Sequence, residues 1–219
     1  MIILVGTDFH GSEEAFRGFA SKAEETKAEI LVICGDITHF GSLQEARSLL
    51  SLLASLRLPV YFVPGNCDPP SLATIEVEGA SCIHGSYESY NDVTFFGLGG
   101  GPISPFSTPF EMTEEEIADF LTSKAKRFVA SQMFILVSHT PPRRTKLDRI
   151  LSGANVGSEY VRKFIEERKP SAVFCGHIHE ARGVDKIGET ILMNPGPARH
   201  GYCGLVSVND KIEVKLDYM

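Results

Sequence analysis

The residues of this sequence that can do chemistry fall in five short clusters: Asp8-Phe9-His10, Gly35-Asp36, Gly65-Asn66, Ser138-His139 and Gly176-His177-Ile178-His179. Each follows directly on an apolar run. Aspartate, histidine and asparagine are oxygen and nitrogen donors that need no thiolate, a set suited to Mn, Fe, Zn, Ni or Co ions rather than calcium. Seven such side chains are too many for one four-coordinate zinc. A single Asp or Asn after a strand is ordinary turn chemistry, and a single His is ordinarily a surface or core residue. Five clusters in the same context, including an Asp-x-His and a His-x-His pair, exceed what turn chemistry explains.

For clusters spread from position 8 to position 179 to act together, the elements carrying them must end at one place. Residues 2–5 and 30–34 are continuous apolar runs, and between them Ala15, Phe16, Phe19, Ala20 and Ala23 lie on one face of a helix over residues 12–27. This reads as β-α-β with strands buried on both faces. A second helix over 42–56 carries Leu43, Ala46, Leu49, Leu50 and Leu53 at helical spacing, and a strand follows at 60–63. Residues 87–96 read as a hairpin turning at Asn91-Asp92, and the Gly/Pro-rich stretch 97–112 as a flexible loop over the site. Thr113 and Glu116 form a capping box opening a helix to about residue 128, before a buried strand at 133–138. A helix at 160–168 precedes a short strand at 172–175, and residues 182–216 read as short antiparallel additions with turns at Gly188-Glu189 and Asn209-Asp210. In an open α/β sheet the loops beyond the carboxyl ends of the strands converge on one crevice, which is where all five clusters stand.

The 219 residues, 43% hydrophobic and 22% charged, can bury a substantial core, and the expected organisation is one domain over 1–219. A formal net charge of −7 disfavours extended nucleic acid as the main partner, because nonspecific affinity for it comes from basic charge. Five cysteines, odd in number and without Cys-x-x-Cys, suggest neither a disulfide framework nor a zinc knuckle, and point to a reducing cytoplasm. The first residues lack a basic segment and meet Asp8 after a short apolar run, so the expectation is an interior strand, with no signal peptide and no membrane span. Familiar phosphate-binding motifs are absent. There is no Gly-Lys pair for a P-loop, Arg182 stands one residue too far from Cys175 for a Cys-x5-Arg cradle, and Pro102 interrupts the glycine run where a dinucleotide fingerprint needs its last glycine.

In order and spacing the five clusters resemble the calcineurin-like metallophosphoesterases, whose pattern runs Asp-x-His, Gly-Asp-x-x-Asp, Gly-Asn-His-Asp/Glu, His, Gly-His-x-His. The resemblance spans the chain from Asp8 to the Asn194-Pro195-Gly196 turn. It implies a four-layer α/β/β/α sandwich of two mixed β-sheets flanked by helices. It also implies two divalent transition-metal ions, one held by Asp8, His10, Asp36 and His179 and the other by Asp36, Asn66, His139 and His177, with Asp36 bridging. The activity implied is phosphoester hydrolysis by a metal-bridging hydroxide. Two divalent ions against two carboxylates leave a positive site suited to a small anionic phosphoester or nucleotide.

Two positions depart from that pattern. His39 stands where the family has the second Asp of Gly-Asp-x-x-Asp, and Cys67 where it has the His of Gly-Asn-His, the dyad associated with protonating the leaving group. Small phosphodiesterase-like members share the Gly-Asn-Cys variant, which favours phosphodiesters. The proton donor then falls to His39, or to His200, or substrates with good leaving groups are preferred; in the simplest alternative His39 is a solvated turn residue. Cys67 reads as a packed small residue, and Cys34 and Cys175 as buried strand residues. Between His139 and Arg149, Arg143, Arg144, Lys146 and Arg149 form either a solvated loop or a phosphate-facing edge. The competing functions are a non-catalytic scaffold on the same fold and a nuclease.

Overall fold

The computed structural model describes residues 1–125 and 133–219. The chain runs β1 (Ile2–Gly6), α1 (Glu13–Thr26), β2 (Ile30–Ile33), α2 (Leu43–Ala54), β3 (Val60–Phe62) and β4 (Ala80–Cys82). It continues with β5 (Tyr87–Tyr90), β6 (Val93–Leu98), β7 (Gly101–Pro102), β8 (Glu111–Met112), α3 (Glu114–Ala125) and β9 (Met133–Ser138). Last come α4 (Glu159–Arg168), β10 (Ala172–Phe174), β11 (Gly183–Ile187), β12 (Thr190–Asn194), β13 (Tyr202–Val208) and β14 (Ile212–Tyr218). The helices begin where hydroxyl side chains satisfy free backbone N–H groups: Ser12, Ser42 and Ser158 accept from Ala15, Glu45 and Val161. Thr113 and Glu116 cap each other's backbone at the start of α3.

Two six-stranded sheets result, ordered β14-β13-β1-β2-β3-β4 and β11-β12-β10-β9-β6-β5. Strands β1 to β4 are mutually parallel in the first, where β13 and β14 add antiparallel pairings at one side, and β12, β10, β9 and β6 are parallel in the second, where β11 and β5 are antiparallel at the edges. The period of two along each strand sorts its side chains between two cores. Leu4, Leu31, Ile33 and Phe62 pack with Phe16, Phe19, Leu50 and Leu53 of α1 and α2. Ile3, Val5, Ile30 and Val32 meet Phe95, Ile135, Val137 and Phe174 of the other sheet. Phe96, Leu136, Val173 and Leu192 then pack on α3 and α4 through Ile117, Leu121, Val161 and Ile165. Helices, sheet, sheet, helices is the four-layer α/β/β/α sandwich expected from the resemblance.

The structure corrects the sequence reading in three places. The stretch 97–112 is not a flexible loop at its start: Gly97 to Gly101 are buried, Gly97 and Leu98 belong to β6, and β7 pairs with β8. The glycines are there for close approach, since a Cβ on Gly99 would lie 2.7 Å from Pro64 O and one on Gly101 2.8 Å from Asn66 Cβ. The C-terminal strands are not all antiparallel additions, because β12 returns parallel to β10 and leaves β11 outside it. Strand β4, too short and too exposed to carry a pattern, escapes sequence reading. The end of the helix expected to reach about residue 128 lies outside the described residues. Among those described, no helix is long and apolar enough to cross a membrane.

Candidate metal centre

Parallel strands deliver the five clusters to one end of the sandwich, and backbone hydrogen bonds lock their loops together. Asp8 N donates to Gly35 O at 3.0 Å, His10 N to Asp36 O at 2.8 Å and Gly176 N to His139 O at 3.1 Å. Asp8, His10, Asp36 and His177 all have positive φ, at 56°, 47°, 52° and 71°. Left-handed backbone at four non-glycine residues costs on the order of 1–3 kcal/mol each and gathers at functional sites.

Two groups of donors result. In the first, His10 Nε2 lies 3.1 Å from His179 Nε2, 3.9 Å from Asp8 Oδ1 and 3.7 Å from Asp36 Oδ2, and His179 Nε2 lies 3.3 Å from Asp8 Oδ1. In the second, Asn66 Oδ1 is 2.8 Å from both His139 Nε2 and His177 Nδ1, and Asp36 Oδ1 is 3.5 Å from His139 Nε2. All seven residues singled out in the sequence therefore meet.

The arrangement leaves lone pairs facing one another, which is where a cation fits. Asp8 Oδ1 is buried without a hydrogen-bond partner. His139 Nδ1 lies 2.7 Å from the carbonyl of Cys34, a pure acceptor, so the ring's proton belongs there and Nε2 turns a lone pair toward Asn66 Oδ1, a second acceptor. A divalent ion satisfies these groups where a proton cannot serve them all, and the donor set is of the oxygen and nitrogen type such ions take.

Electrostatics prepare the same groups. Burial pushes His10 down to about 4 and His177 to about 3, so both are neutral at pH 7 with lone pairs available. The Asp8 carboxylate holds His179 above its ordinary value. Burial alone would raise Asp8, but His179 beside it, with the His139 and His10 rings, holds it below the usual carboxylate range. Asp36, buried and next to Asp8, is raised to about 7 although His139 opposes the rise. Two carboxylates in one dry site thus share the burden unequally.

The remaining predicted residues sit around this cluster. His39 is exposed, with Nδ1 3.3 Å from His10 Nδ1. Cys67 is buried, its thiol pushed up by burial and by Asp36, and with His10 and His39 it forms a third close group. His200 is exposed on a 3-10 turn that Ala198 N and Arg199 N tie to Thr7 O and Asp8 O. Arg143 and Arg144 direct their guanidinium groups to Glu159, at 3.4 Å and 3.3 Å, and none of their described contacts is with the ligand cluster. Their loop is ordered by buried Asp148, which accepts from Arg144 N, Thr145 N and Gly157 N. Sequence reasoning missed Asp68. Fully buried, it accepts from Ile37 N, Thr38 N and Gly65 N and so clamps the Asp36 and Asn66 loops together. Its signal was an acidic residue two past Asn66. Asn194 was passed over as a turn residue, yet its amide donates to Ile178 O and steadies the His177–His179 segment.

Comparison with known proteins bears on this geometry. The chain is 39% identical over 196 residues to an uncharacterized protein of Methanocaldococcus jannaschii, covering 87% of this chain and 86% of that one. It is 22% identical over 180 residues to a probable cyclic nucleotide phosphodiesterase of Vesicomyosocius okutanii subsp. Calyptogena okutanii, covering 81% and 74%. Its fold matches the crystal structure of a dimetal phosphatase from Danio rerio with a TM-score of 0.67 at 12% identity, over 100% of this chain and 96% of that one. The sequence model of the calcineurin-like phosphoesterase superfamily domain matches residues 1–206, from the first strand through every clustered donor. With the sandwich and the strand-end donors agreeing, the chain belongs to the calcineurin-like phosphoesterase superfamily.

Proposed function

We propose that the protein is a binuclear metal-dependent phosphoesterase that prefers phosphodiesters and acts on a small phosphoester or nucleotide. The observation that carries this reading is the splay of Asp36. Its Oδ2 faces His10 at 3.7 Å and its Oδ1 faces His139 at 3.5 Å, so one buried carboxylate stands between the two donor groups. Asp8, His10 and His179 would complete one site, and Asn66, His139 and His177 the other. Two divalent ions bound there supply Lewis acidity toward phosphoryl oxygens and let water act as nucleophile near neutral pH. The chain's own part is orientation. Cys34 O fixes the His139 ring, Cys67 N holds Asp36 Oδ1 at 2.8 Å, and His177 N holds Asp8 Oδ2 at 3.1 Å. The relative named as a probable cyclic nucleotide phosphodiesterase and the dimetal phosphatase neighbour support the diester preference and the two-ion reading respectively.

The test is metal reconstitution. Chelator-stripped protein loaded with Mn, Fe, Zn, Ni or Co ions should take up two ions per chain by elemental analysis. It should then hydrolyse bis-p-nitrophenyl phosphate faster than p-nitrophenyl phosphate. Wild-type protein that binds no metal after loading overturns the reading.

A further inference from the structure

His10 is engaged at both ring nitrogens. Nε2 faces His179, Asp8 and Asp36, while Nδ1 faces His39 Nδ1 at 3.3 Å with the two rings 79° apart. A neutral imidazole has one proton to place. If Nε2 gives its lone pair to a cation, the proton must sit on Nδ1, and the atom waiting there is His39 Nδ1, which must then present a lone pair. The His39 ring is exposed but not loosely held. On one side Thr38 N and Oγ1 are bound to buried Asp68, on the other Phe40 N donates to Cys67 O, and the Phe40 ring packs on His39 at 4.7 Å.

We infer that His39 is a positioning residue for His10. It accepts the Nδ1–H hydrogen bond, and so fixes the tautomer that turns the Nε2 lone pair toward the ion shared with Asp8, Asp36 and His179. This rests on the metal-dependent reading above and deepens it. The pattern position that in relatives carries an acid here serves a ligand instead. With Nδ1 used as an acceptor, His39 keeps its own proton on Nε2, so the nitrogen nearest the cluster is not a proton donor. Outer-shell partners of ligating histidines are worth about 10–100-fold in metal affinity.

The experiment compares wild type, His39→Phe and His39→Asn as full chains. Binding of Co²⁺ is followed by chelator competition, elemental analysis and the Co²⁺ absorption spectrum. His39→Phe keeps a ring but removes the acceptor, and should weaken one of two ions about 10–100-fold while sparing the other. His39→Asn restores an acceptor and should recover most of that loss. Nitrogen-15 spectra of the Zn²⁺-loaded wild type should show His10 protonated at Nδ1 and His39 at Nε2, and the reverse assignment overturns the inference without depending on any variant. Two ions bound by His39→Phe as tightly as by wild type also overturn it while leaving the functional reading intact, whereas a wild type that binds none defeats both. A third ion, lost in His39→Phe with the first two unaffected, would assign His10, His39 and Cys67 to metal binding and likewise overturn the positioning role.

Discussion

Replacing Asp36 with asparagine should abolish metal-dependent activity and yet stabilise the metal-free protein at alkaline pH. Burial beside Asp8 lifts the Asp36 carboxyl to about 7. Against an ordinary aspartate near 3.9, at about 1.4 kcal/mol per pKa unit, that rise corresponds to about 4 kcal/mol. The folded protein holds this proton to higher pH than the unfolded chain does. The residue's contribution is therefore complete below about pH 4 and is lost as pH climbs through 7. Asparagine carries no charge to bury and still offers an oxygen to Cys67 N, now bound to Asp36 Oδ1 at 2.8 Å. For a chain of this size about 1 kcal/mol moves Tm by about 2–4 °C, so the variant should exceed wild type by up to about 8–16 °C at pH 8. Since Asp8 titrates together with Asp36, that figure is an upper bound. The assay is a set of thermal melts of chelator-stripped wild type and Asp36→Asn from pH 5 to pH 8. His10 and His177 are present in both, so the difference between the curves isolates Asp36. A gap that widens from pH 5 toward pH 7 and then levels off supports the reasoning, and parallel curves refute it. Adding Mn²⁺ at about a hundredfold over Kd should return about 2.7 kcal/mol to wild type and little to the variant.

Asp68→Ala removes the acceptor of three buried backbone N–H groups and should cost about 3–5 kcal/mol in chemical denaturation, with metal affinity falling alongside; a loss under about 0.5 kcal/mol would deny the clamp. In Gly176→Ala the new methyl would press on Thr7 Oγ1 and stand 2.7 Å from Asp8 Oδ2, so calorimetry should show about 1–3 kcal/mol of destabilisation. Arg143→Ala with Arg144→Ala breaks only exposed pairs with Glu159 and should change stability by less than about 0.5 kcal/mol; a KM rise confined to substrates with a second phosphate would instead make this loop a substrate edge. With His39 and Cys67 in place of the family's Asp and His, rates should fall steeply from p-nitrophenyl to alkyl esters, since positioned acid catalysis is worth about 10²–10⁴-fold, and Cys67→His with His39→Asp should flatten that slope.

The central strands were legible because they are buried on both faces, whereas their stacking into a four-layer sandwich was implied by the resemblance alone. Runs such as Ile2 to Val5 and Met133 to Ser138 announce themselves without partners, and the donors that follow them needed only the rule that parallel strand ends converge. What failed was what depends on neighbours distant in sequence. Gly97 to Gly101 look mobile by composition, and only the neighbours pressed against them, among them Ile83 O, Pro64 O and the Asn66 side chain, explain their glycines. Asp68 shows in the sequence only as an acid two past Asn66, and the clamp it forms depends on the N–H groups of Ile37 and Thr38 roughly thirty residues away. The charge run from Arg143 to Arg149 hid a capping aspartate, Asp148, that organises its loop more than any of the cations does.

The left-handed backbone at Asp8, His10, Asp36 and His177 has a consequence for how this fold can change over evolutionary time. Among side chains other than glycine, Asn, Asp and His take up that conformation most readily, and they are also the ones with oxygen or nitrogen to offer a cation. Conformational tolerance and coordination chemistry therefore select the same small alphabet at these positions. Substitution by a β-branched residue would forfeit a donor and strain the backbone in a single step, so neutral drift has few exits. A descendant no longer selected for these donors should leave by glycine or asparagine at these four positions first, retaining the turns and the sandwich.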